Sequence, residues 1–311
     1  MVTSMSIDKF ENLFIEMGRI RGVEMALAHS YEHQMMRCPI HLSIGQEYWL
    51  PLIYCQYQLG DRFYSSHRSH GLYLALKGGL RELIAEIHGS SDGCLSGIGG
   101  SMHLKSIENG LICSVPIVGS SIALALGSAF ASKHLGSEVL SVAYFGDGAC
   151  EEGIFHESLN LAALYQLPIL FICENNLYSC NTKLERRQPS VDMTRFAKAH
   201  CIDSFSITQE LPYQVIFDNF AEAFNAARTG PVFLQCISYR LYEHCGSRED
   251  LDNGDRLPQE YELMKDRDLL LSLMGTYPSV KSAYQFAYDQ TMQLCKYYTS
   301  LNSESLLQVN S

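Results

Sequence analysis

The sequence has no segment suited to a strongly anionic or lipid surface. Its 311 residues include 23 Lys and Arg against 34 Asp and Glu, a net charge of −11, with no long basic run. This balance argues against electrostatic binding to nucleic acid or to an anionic membrane. No apolar run is long enough to cross a bilayer, and no apolar stretch follows a basic start at the N-terminus. We therefore expect a cytoplasmic protein that acts on proteins or small molecules.

Paired cysteine motifs are also missing. The chain contains 11 cysteines, an odd number, and no two of them form a C-x-x-C pair. This spacing supports neither a structural zinc site nor a disulfide framework. Cys173 and Cys236 fall inside apolar segments, where a free thiol packs as a small hydrophobic side chain. A reducing compartment fits this usage.

No repeat or low-complexity linker divides the chain, so we expect a single domain over residues 1–311. Three short apolar runs, residues 139–145, 168–173 and 231–237, are typical of buried strands. Between the first two, residues 154–165 show helical spacing of apolar side chains. The order strand, helix, strand predicts a parallel sheet. The expected fold class is α/β, with a doubly wound parallel sheet flanked by helices.

Helical patterns continue at both ends, as an N-terminal helical arm over about residues 1–40 and C-terminal helices over about 257–311. Residues 121–131 are small or apolar on every face, which is expected of a helix packed between the sheet and a further surface such as another subunit. Residues 246–255 are polar and lack apolar anchors. We expect that segment to be a mobile loop that becomes ordered when a ligand binds.

Polar residues follow the first two predicted strands. Gly146-Asp147-Gly148 comes after one strand, and Asn175-Asn176 comes after the next, 29 residues beyond Asp147. In parallel sheets, ligands bind beyond the carboxyl ends of the strands. Glycines let the backbone approach a phosphate, while carboxylate, amide and main-chain oxygens suit Mg²⁺. A lone GDG triplet is often a plain turn. The two loops together predict a magnesium diphosphate site.

The joint pattern resembles the GDG…NN signature of thiamine-diphosphate enzymes. The stretch from Gly146 to Ser179 is similar to the alpha subunit of the decarboxylating component of 2-oxo acid dehydrogenase complexes, whose members act on pyruvate, branched-chain acids or acetoin. Further segments match in order: HLSIGQE at 41–47, HRSHG at 67–71, GIGGSMH at 97–103, IVG at 117–119, and Tyr239-Arg240 followed by His244. The resemblance covers about residues 7–273. It implies the diphosphate-binding half of the thiamine-diphosphate-binding fold.

The resemblance also implies roles for individual residues. Asp147, Asn176 and the Tyr178 carbonyl would bind Mg²⁺. The diphosphate of thiamine diphosphate would lie against Arg68, His67 and His244. The turn residues Gly146, Gly148 and Ala149 would contact the same group through their backbone, near a helix N-terminus. The main chain at Val118 would hold the aminopyrimidine ring. The catalytic residues implied are His70, His103 and His244, which would supply protons or hydrogen bonds to substrate oxygens.

Several positions have an alternative interpretation or depart from the family pattern. Gln46 and Glu47 match the family, yet a helix cap or a subunit bridge is the interpretation we favour for them. His67 stands where the family has a tyrosine near the diphosphate. Glu243 replaces a glycine, and Cys245 replaces a serine that some organisms phosphorylate. These changes leave the predicted magnesium site intact.

The function implied is cleavage of a 2-oxo acid or acetoin, with transfer of the activated aldehyde to an acceptor such as the lipoyl group of an acyltransferase. In this family the activating glutamate lies on a beta subunit, so the resemblance implies a heterotetramer of two alpha and two beta chains. Two alternatives stay open: a transketolase-like or carboligating transfer to a carbonyl or sugar, and a silent paralogue that scaffolds or regulates a complex. Intact Asp147, Asn176 and Arg68 speak against the silent paralogue.

Overall fold

A six-stranded parallel sheet forms the centre of the molecule. The computed structural model describes residues 7–36, 38–251 and 256–309. The sheet has the order β2-β1-β3-β4-β8-β7, and a separate antiparallel pair is formed by β5 and β6. The strands are β1 Arg62–Ser65, β2 Leu111–Ser114, β3 Ser141–Gly146, β4 Ile169–Asn175, β5 Tyr178–Ser179, β6 Thr182–Lys183, β7 Asp203–Thr208 and β8 Val232–Ile237.

Helices cover both faces of this sheet. They are α1 Ile7–Glu32, α2 Leu50–Gln56, α3 His70–Ala75, α4 Leu80–Ile87, α5 Ser120–His134, α6 Gly153–Tyr165, α7 Thr194–Ala199, α8 Tyr213–Ala227, α9 Pro258–Asp266, α10 Leu269–Thr276 and α11 Pro278–Val309. In the part of the chain that the structure describes, no helix combines the length and the apolar character that crossing a membrane requires.

Alternate residues of each strand point into two separate cores. Val142 and Tyr144 of β3 join the core beneath α1, α2, α4 and α8. Ala143 and Phe145 join the core beneath α5, α6 and α7. This alternation follows from the two-residue period of a strand. Because both faces are buried, the central strands are apolar throughout, and the expectation of a doubly wound parallel sheet is confirmed.

The apolar runs predicted from the sequence correspond to β3, β4 and β8, and the predicted connecting helix corresponds to α6. After β1 the chain forms β2, which pairs with one edge of β1. It then forms β3, which pairs with the other edge of β1. The carboxyl ends of β1 and β3 therefore diverge at a topological switch point. In open α/β sheets this is where ligands bind.

Candidate active site

A cavity of about 240 Å³ lies at this switch point. Its walls come from the loops that follow β1, β2, β3, β4 and β8. Every residue predicted to bind the cofactor or the metal contributes to its lining: His67, Arg68, Val118, Gly146, Asp147, Gly148, Ala149, Asn176, Tyr178 and His244. The structure thus brings together residues as far apart in the chain as His67 and His244, which are separated by 177 positions.

Asp147 is the first residue after β3, and its side chain is almost fully buried. One carboxylate oxygen, Oδ2, pairs with the guanidinium of Arg187, which also pairs with Glu151. Burial raises the pKa of Asp147, and the charge of Arg187 opposes that rise. A buried carboxylate at a strand end is available to a cation, and Arg187 holds one of its two oxygens in a fixed direction.

The turn after β4 is locked by its two asparagines. The Asn175 side chain accepts a hydrogen bond from the Leu177 amide, and the Asn176 side chain accepts one from the Tyr178 amide, both at 3.1 Å. Leu177 has φ of 69°, a left-handed conformation that is unfavourable for a branched side chain. Asparagine side chains stabilise such turns through these local bonds. The paired asparagines therefore hold a strained turn whose residues Asn176 and Tyr178 line the cavity.

Arg68 is buried beside this turn without a counter-charge. Its Nη1 donates to the Leu42 carbonyl at 2.5 Å and its Nη2 donates to the His244 carbonyl at 3.1 Å. Within the described part of the chain, no carboxylate forms an ion pair with Arg68. Burial lowers the pKa of Arg68 to about 9, and the nearby charge of Arg240 lowers it further in the same direction. A buried guanidinium that contacts two carbonyls and one imidazole nitrogen, but no carboxylate, is suited to an anionic ligand.

Three imidazoles surround the guanidinium. The ring centroids of His41 and His67 are 4.6 Å apart, and those of His67 and His244 are 5.3 Å apart. Burial and the charge of Arg68 lower the pKa of His41 to about 2, of His67 to about 4 and of His244 to about 3. All three rings are therefore neutral at pH 7, and each offers one N–H donor and one lone pair.

The turn after β3 packs closely against Ser179 because it contains a glycine. A Cβ at Gly148 would approach the Ser179 hydroxyl oxygen to 2.7 Å, closer than real Cβ contacts. On the opposite wall, Gly119 has φ of 82° and caps α5, which places the half-exposed Val118 at the rim. The backbone of both segments can therefore approach a bound molecule closely.

His70 and His103 do not line the cavity. His70 is fully buried, with Nδ1 3.3 Å from Glu24 Oε2 and Nε2 2.6 Å from the Ser101 hydroxyl. His103 lies next to the lining residue Met102, and its Nδ1 is 2.9 Å from the Gly99 carbonyl. With both ring nitrogens bonded, His70 has the geometry of a structural residue. Of the three histidines predicted to be catalytic, His244 lines the cavity, and the catalytic roles of all three stay predictions.

His41, Gln46, Glu174 and Arg240 also line the cavity, although the sequence predicted no binding role for them. Gln46, interpreted as a cap or bridge, accepts a hydrogen bond from the Asn176 side chain at 3.4 Å. Glu47 pairs with Arg21 of α1, and its role as a bridge between subunits stays a prediction. His41 and Gln46 belong to the HLSIGQE motif, and Glu174 directly follows the apolar run at 168–173. These two signals could have identified them as candidate site residues.

Glu174 is the last charged residue of β4. Its Oε2 accepts a hydrogen bond from the Tyr144 hydroxyl at 2.7 Å, while Oε1 is buried without a well-formed hydrogen bond among the described residues. Burial raises the pKa of Glu174 to about 7, although Tyr144, Gln46 and the charge of Arg68 act in the opposite direction. The free oxygen faces a cavity that also contains Arg68.

The polar segment after His244 is anchored where the structure describes it. Asp250 is buried and bridges two arginines, Arg240 at 2.6 Å and Arg256 at 2.9 Å. The Glu243 amide donates to the Arg248 carbonyl at 2.9 Å. An ion network thus takes the place of the missing apolar anchors, and the mobility of residues 246–251 without a ligand stays a prediction. Residues 252–255 lie outside the described residues.

Comparison with known proteins agrees with the geometry. Residues 15–277 match the family described as the dehydrogenase E1 component. The chain belongs to this family. It is 32% identical over 243 residues to the alpha subunit of acetoin:2,6-dichlorophenolindophenol oxidoreductase of Bacillus subtilis (strain 168), covering 78% of this chain and 73% of that protein.

Two further relatives are alpha subunits of the pyruvate dehydrogenase E1 component. The one from Rhizobium meliloti (strain 1021) is 33% identical over 231 residues, 74% of this chain and 66% of the relative. The human mitochondrial somatic form is 30% identical over 266 residues, 81% of this chain and 66% of the relative. The chain thus spans about two thirds of the length of these E1 components. Membership in the family implies thiamine diphosphate as the cofactor. It also fits the alpha subunit of a dehydrogenase better than the two alternatives, a carboligase and a silent scaffold.

Proposed function

We propose that this chain is the alpha subunit of an enzyme that uses thiamine diphosphate and Mg²⁺ to cleave a 2-oxo acid or acetoin. The activated aldehyde then passes to an acceptor such as a lipoyl group. The observation that carries the proposal is the buried, unpaired guanidinium of Arg68 in the same cavity as the Asp147 carboxylate. One group suits an anion and the other suits a cation, as a magnesium diphosphate requires.

The donor set fits both Mg²⁺ and thiamine diphosphate. Asp147 and Asn176 offer side-chain oxygens and Tyr178 offers a carbonyl, which are the hard ligands that Mg²⁺ prefers. Arg68, His67 and His244 would hold the diphosphate, together with the backbone of the turn at Gly146, Gly148 and Ala149. The main chain at Val118 would support the aminopyrimidine ring.

Bound thiamine diphosphate supplies the nucleophile and the electron sink for carbon–carbon cleavage. The residues of this chain position and shield it. Without the cofactor His244 is neutral, because burial lowers its pKa to about 3, and its ring would offer one hydrogen bond to a substrate oxygen. Glu174 and Tyr144 form the buried floor of the cavity, which keeps water from the reacting carbon.

The proposed assembly is a heterotetramer of two alpha and two beta chains, in which the beta chain carries the activating glutamate. α5 supports this proposal because it exposes small residues and large apolar ones together. Leu124 and Phe130 are 44% and 43% exposed, and a Cβ at Gly127 would meet no atom within 4 Å. The surface allows close approach of another chain. We further propose a cytoplasmic location, which the eleven free cysteines support.

Calorimetry on the co-expressed alpha–beta enzyme tests the proposal. Asp147→Asn keeps the shape of the side chain but removes its charge, so Mg²⁺-dependent binding of thiamine diphosphate should fall by at least about tenfold. Asp218→Asn on α8, outside the cavity, is the matched control and should bind as wild type does. Unchanged affinity in Asp147→Asn would contradict the assignment. A screen of pyruvate, branched 2-oxo acids and acetoin with a dye acceptor then identifies the substrate.

A further inference from the structure

A second pocket, of about 310 Å³, lies between α1, α11 and the segment that follows β8. We call it the tyrosine pocket, because Tyr242, Tyr284 and Tyr288 line it together with Met25 and Glu32 of α1. Among the described residues it shares no lining residue with the cavity at the switch point. Small-molecule sites in proteins begin at about this volume. Because α11 begins after the last residue that matches the family, family membership does not account for this pocket.

Electron-rich groups line the tyrosine pocket. Tyr284 and Tyr288 are four residues apart and so lie on the same face of α11. Their ring centroids are 6.3 Å apart, and their planes are within 21° of parallel. The Tyr242 hydroxyl donates to the Met25 sulfur at 3.6 Å, which leaves the lone pairs of the hydroxyl oxygen for a ligand. The lining thus offers aromatic rings, a thioether and phenolic oxygens.

The formal charge at the tyrosine pocket is negative. Glu32 is exposed near the end of α1, and within the described ranges it forms no ion pair. Burial, and then the charges of Glu249 and Glu32, raise the pKa of Tyr242, so Glu32 acts directly on this lining group. Arg21 also acts on Tyr242, but it is already paired with two carboxylates. An unpaired carboxylate therefore remains beside the rings.

This lining does not suit an anion or a metal ion. Where the structure describes the pocket, no Lys or Arg lines it to pair with an anion, and Glu32 is its one carboxylate. A hard metal ion needs several oxygen ligands. Aromatic rings instead attract organic cations, above all quaternary ammonium groups, through the negative faces of their π-systems. The lining therefore favours an organic cation.

We propose that the tyrosine pocket binds a small quaternary ammonium compound, with its methyl groups against the three tyrosine rings and its charge near Glu32. The same attraction occurs elsewhere on α11, where the Arg81 guanidinium lies 5.5 Å from the ring centroid of Tyr297. In the part of the chain that the structure describes, no such internal cation lies over the three rings of the pocket. A ligand can therefore supply it.

Nuclear magnetic resonance of the full-length chain, with carbon-13 in the methionine methyl groups, tests the proposal. Choline should shift the Met25 methyl resonance saturably, with a dissociation constant of about 1 mM or lower. Its neutral isostere 3,3-dimethyl-1-butanol should bind at least about tenfold more weakly. Met25→Leu identifies the resonance. His29 also lines the pocket, so the titration is run at pH 8, where ordinary imidazole is uncharged.

Two variants remove the two kinds of attraction separately. Tyr288→Leu deletes a ring and should weaken choline binding at least about fivefold, and Glu32→Gln should weaken it about threefold. Tyr297→Leu on α11 and Glu157→Gln on α6 change the same residue types outside the pocket and should bind as wild type does. Circular dichroism establishes that each variant is folded. Because Glu32 is exposed, its substitution does not put the fold at risk.

Several results would overturn the proposal. They are the lack of a saturable Met25 shift at millimolar choline, equal binding of the neutral isostere, and wild-type affinity in folded Tyr288→Leu or in Glu32→Gln. Equal weakening in the two control variants would also overturn it. None of these measurements involves thiamine diphosphate, so their outcome is independent of the proposed function.

Discussion

At the scale of single residues, hydrogen-bond and ion-pair partners distinguish residues suited to ligand binding from residues that stabilise the fold. Arg68 and Arg240 are both buried and both line the cavity. Arg240 pairs with Asp250, whereas Arg68 forms no ion pair among the described residues and donates to two carbonyls. A buried charge without a counter-ion is destabilising. We therefore assign Arg68 to ligand binding and Arg240 mainly to the anchoring of the segment after His244.

Substitution of each arginine by methionine should separate these roles. Arg68→Met removes charge-assisted bonds of about 1.5–3 kcal/mol each, so cofactor affinity should fall by at least about tenfold. The free energy of unfolding of the cofactor-free chain should change little. Arg240→Met leaves Asp250 with one partner fewer and should destabilise the chain by roughly 3 kcal/mol. Urea denaturation and calorimetry measure both effects, and equal destabilisation by the two variants would contradict the assignment.

The histidine cluster also predicts how stability depends on pH. The pKa of His67 is about 4 in the folded chain, below its ordinary value of 6.5, so the unfolded chain binds more protons between these limits. Stability is then fully present above pH 6.5 and is lost as pH falls toward 4. His67→Tyr does not titrate there and should lose roughly 1–2 kcal/mol less by pH 5. Parallel pH profiles of the unfolding free energy in the two proteins would refute this.

Sequence motifs predicted part of the cavity lining because several of its residues form short-range patterns at strand ends. Asp147 and Asn176 each follow an apolar strand directly, which the sequence shows. The pairing of Arg187 with Asp147 could not be predicted, because Arg187 reaches the site from a segment without a motif. The hydrogen bonds of the two His70 ring nitrogens likewise could not be predicted, because they depend on tertiary packing against Glu24 and Ser101.

At the scale of elements, the long apolar interior strands were predictable, whereas the short interior strand β1 and the edge strands β2 and β7 were not. β3, β4 and β8 are continuous apolar runs because both of their faces are buried. β1 and β2 have only four residues each, which is too short for a periodic signal. β7 lies at the edge of the sheet and alternates polar with apolar residues, so its sequence does not indicate a buried strand.

α5 provides a test of the proposed assembly at this scale. Gly127→Leu adds a side chain into open space on a helix, so the isolated chain should keep its stability or gain about 1 kcal/mol. The same side chain should prevent close packing of a beta chain. Gly275→Leu on α10, which also meets no atom within 4 Å, is the matched control. Native mass spectrometry after co-expression should show the heterotetramer only for the control and wild type. Assembly of Gly127→Leu would contradict the interface.

At the scale of the whole molecule, the two ends of the chain fold together. α1 packs along α11, and Gly22 of α1 approaches α11 so closely that a Cβ there would lie 2.2 Å from the Tyr284 carbonyl oxygen. Arg21 joins Glu47 and Asp268 in one buried ion network. These contacts support the proposal that residues 1–311 form a single domain, in which the helical ends brace the loop that carries His41.

The central claim is that Asp147 and Arg68 hold a metal–diphosphate complex at the switch point of the sheet. Pulsed electron paramagnetic resonance of the assembled enzyme, with Mn²⁺ in place of Mg²⁺ and with thiamine diphosphate present, tests it most directly. We predict one bound Mn²⁺ per alpha chain with hyperfine coupling to phosphorus, and loss of that coupling in Asp147→Asn. Bound Mn²⁺ without phosphorus coupling in wild type, or unchanged coupling in the variant, would contradict the account.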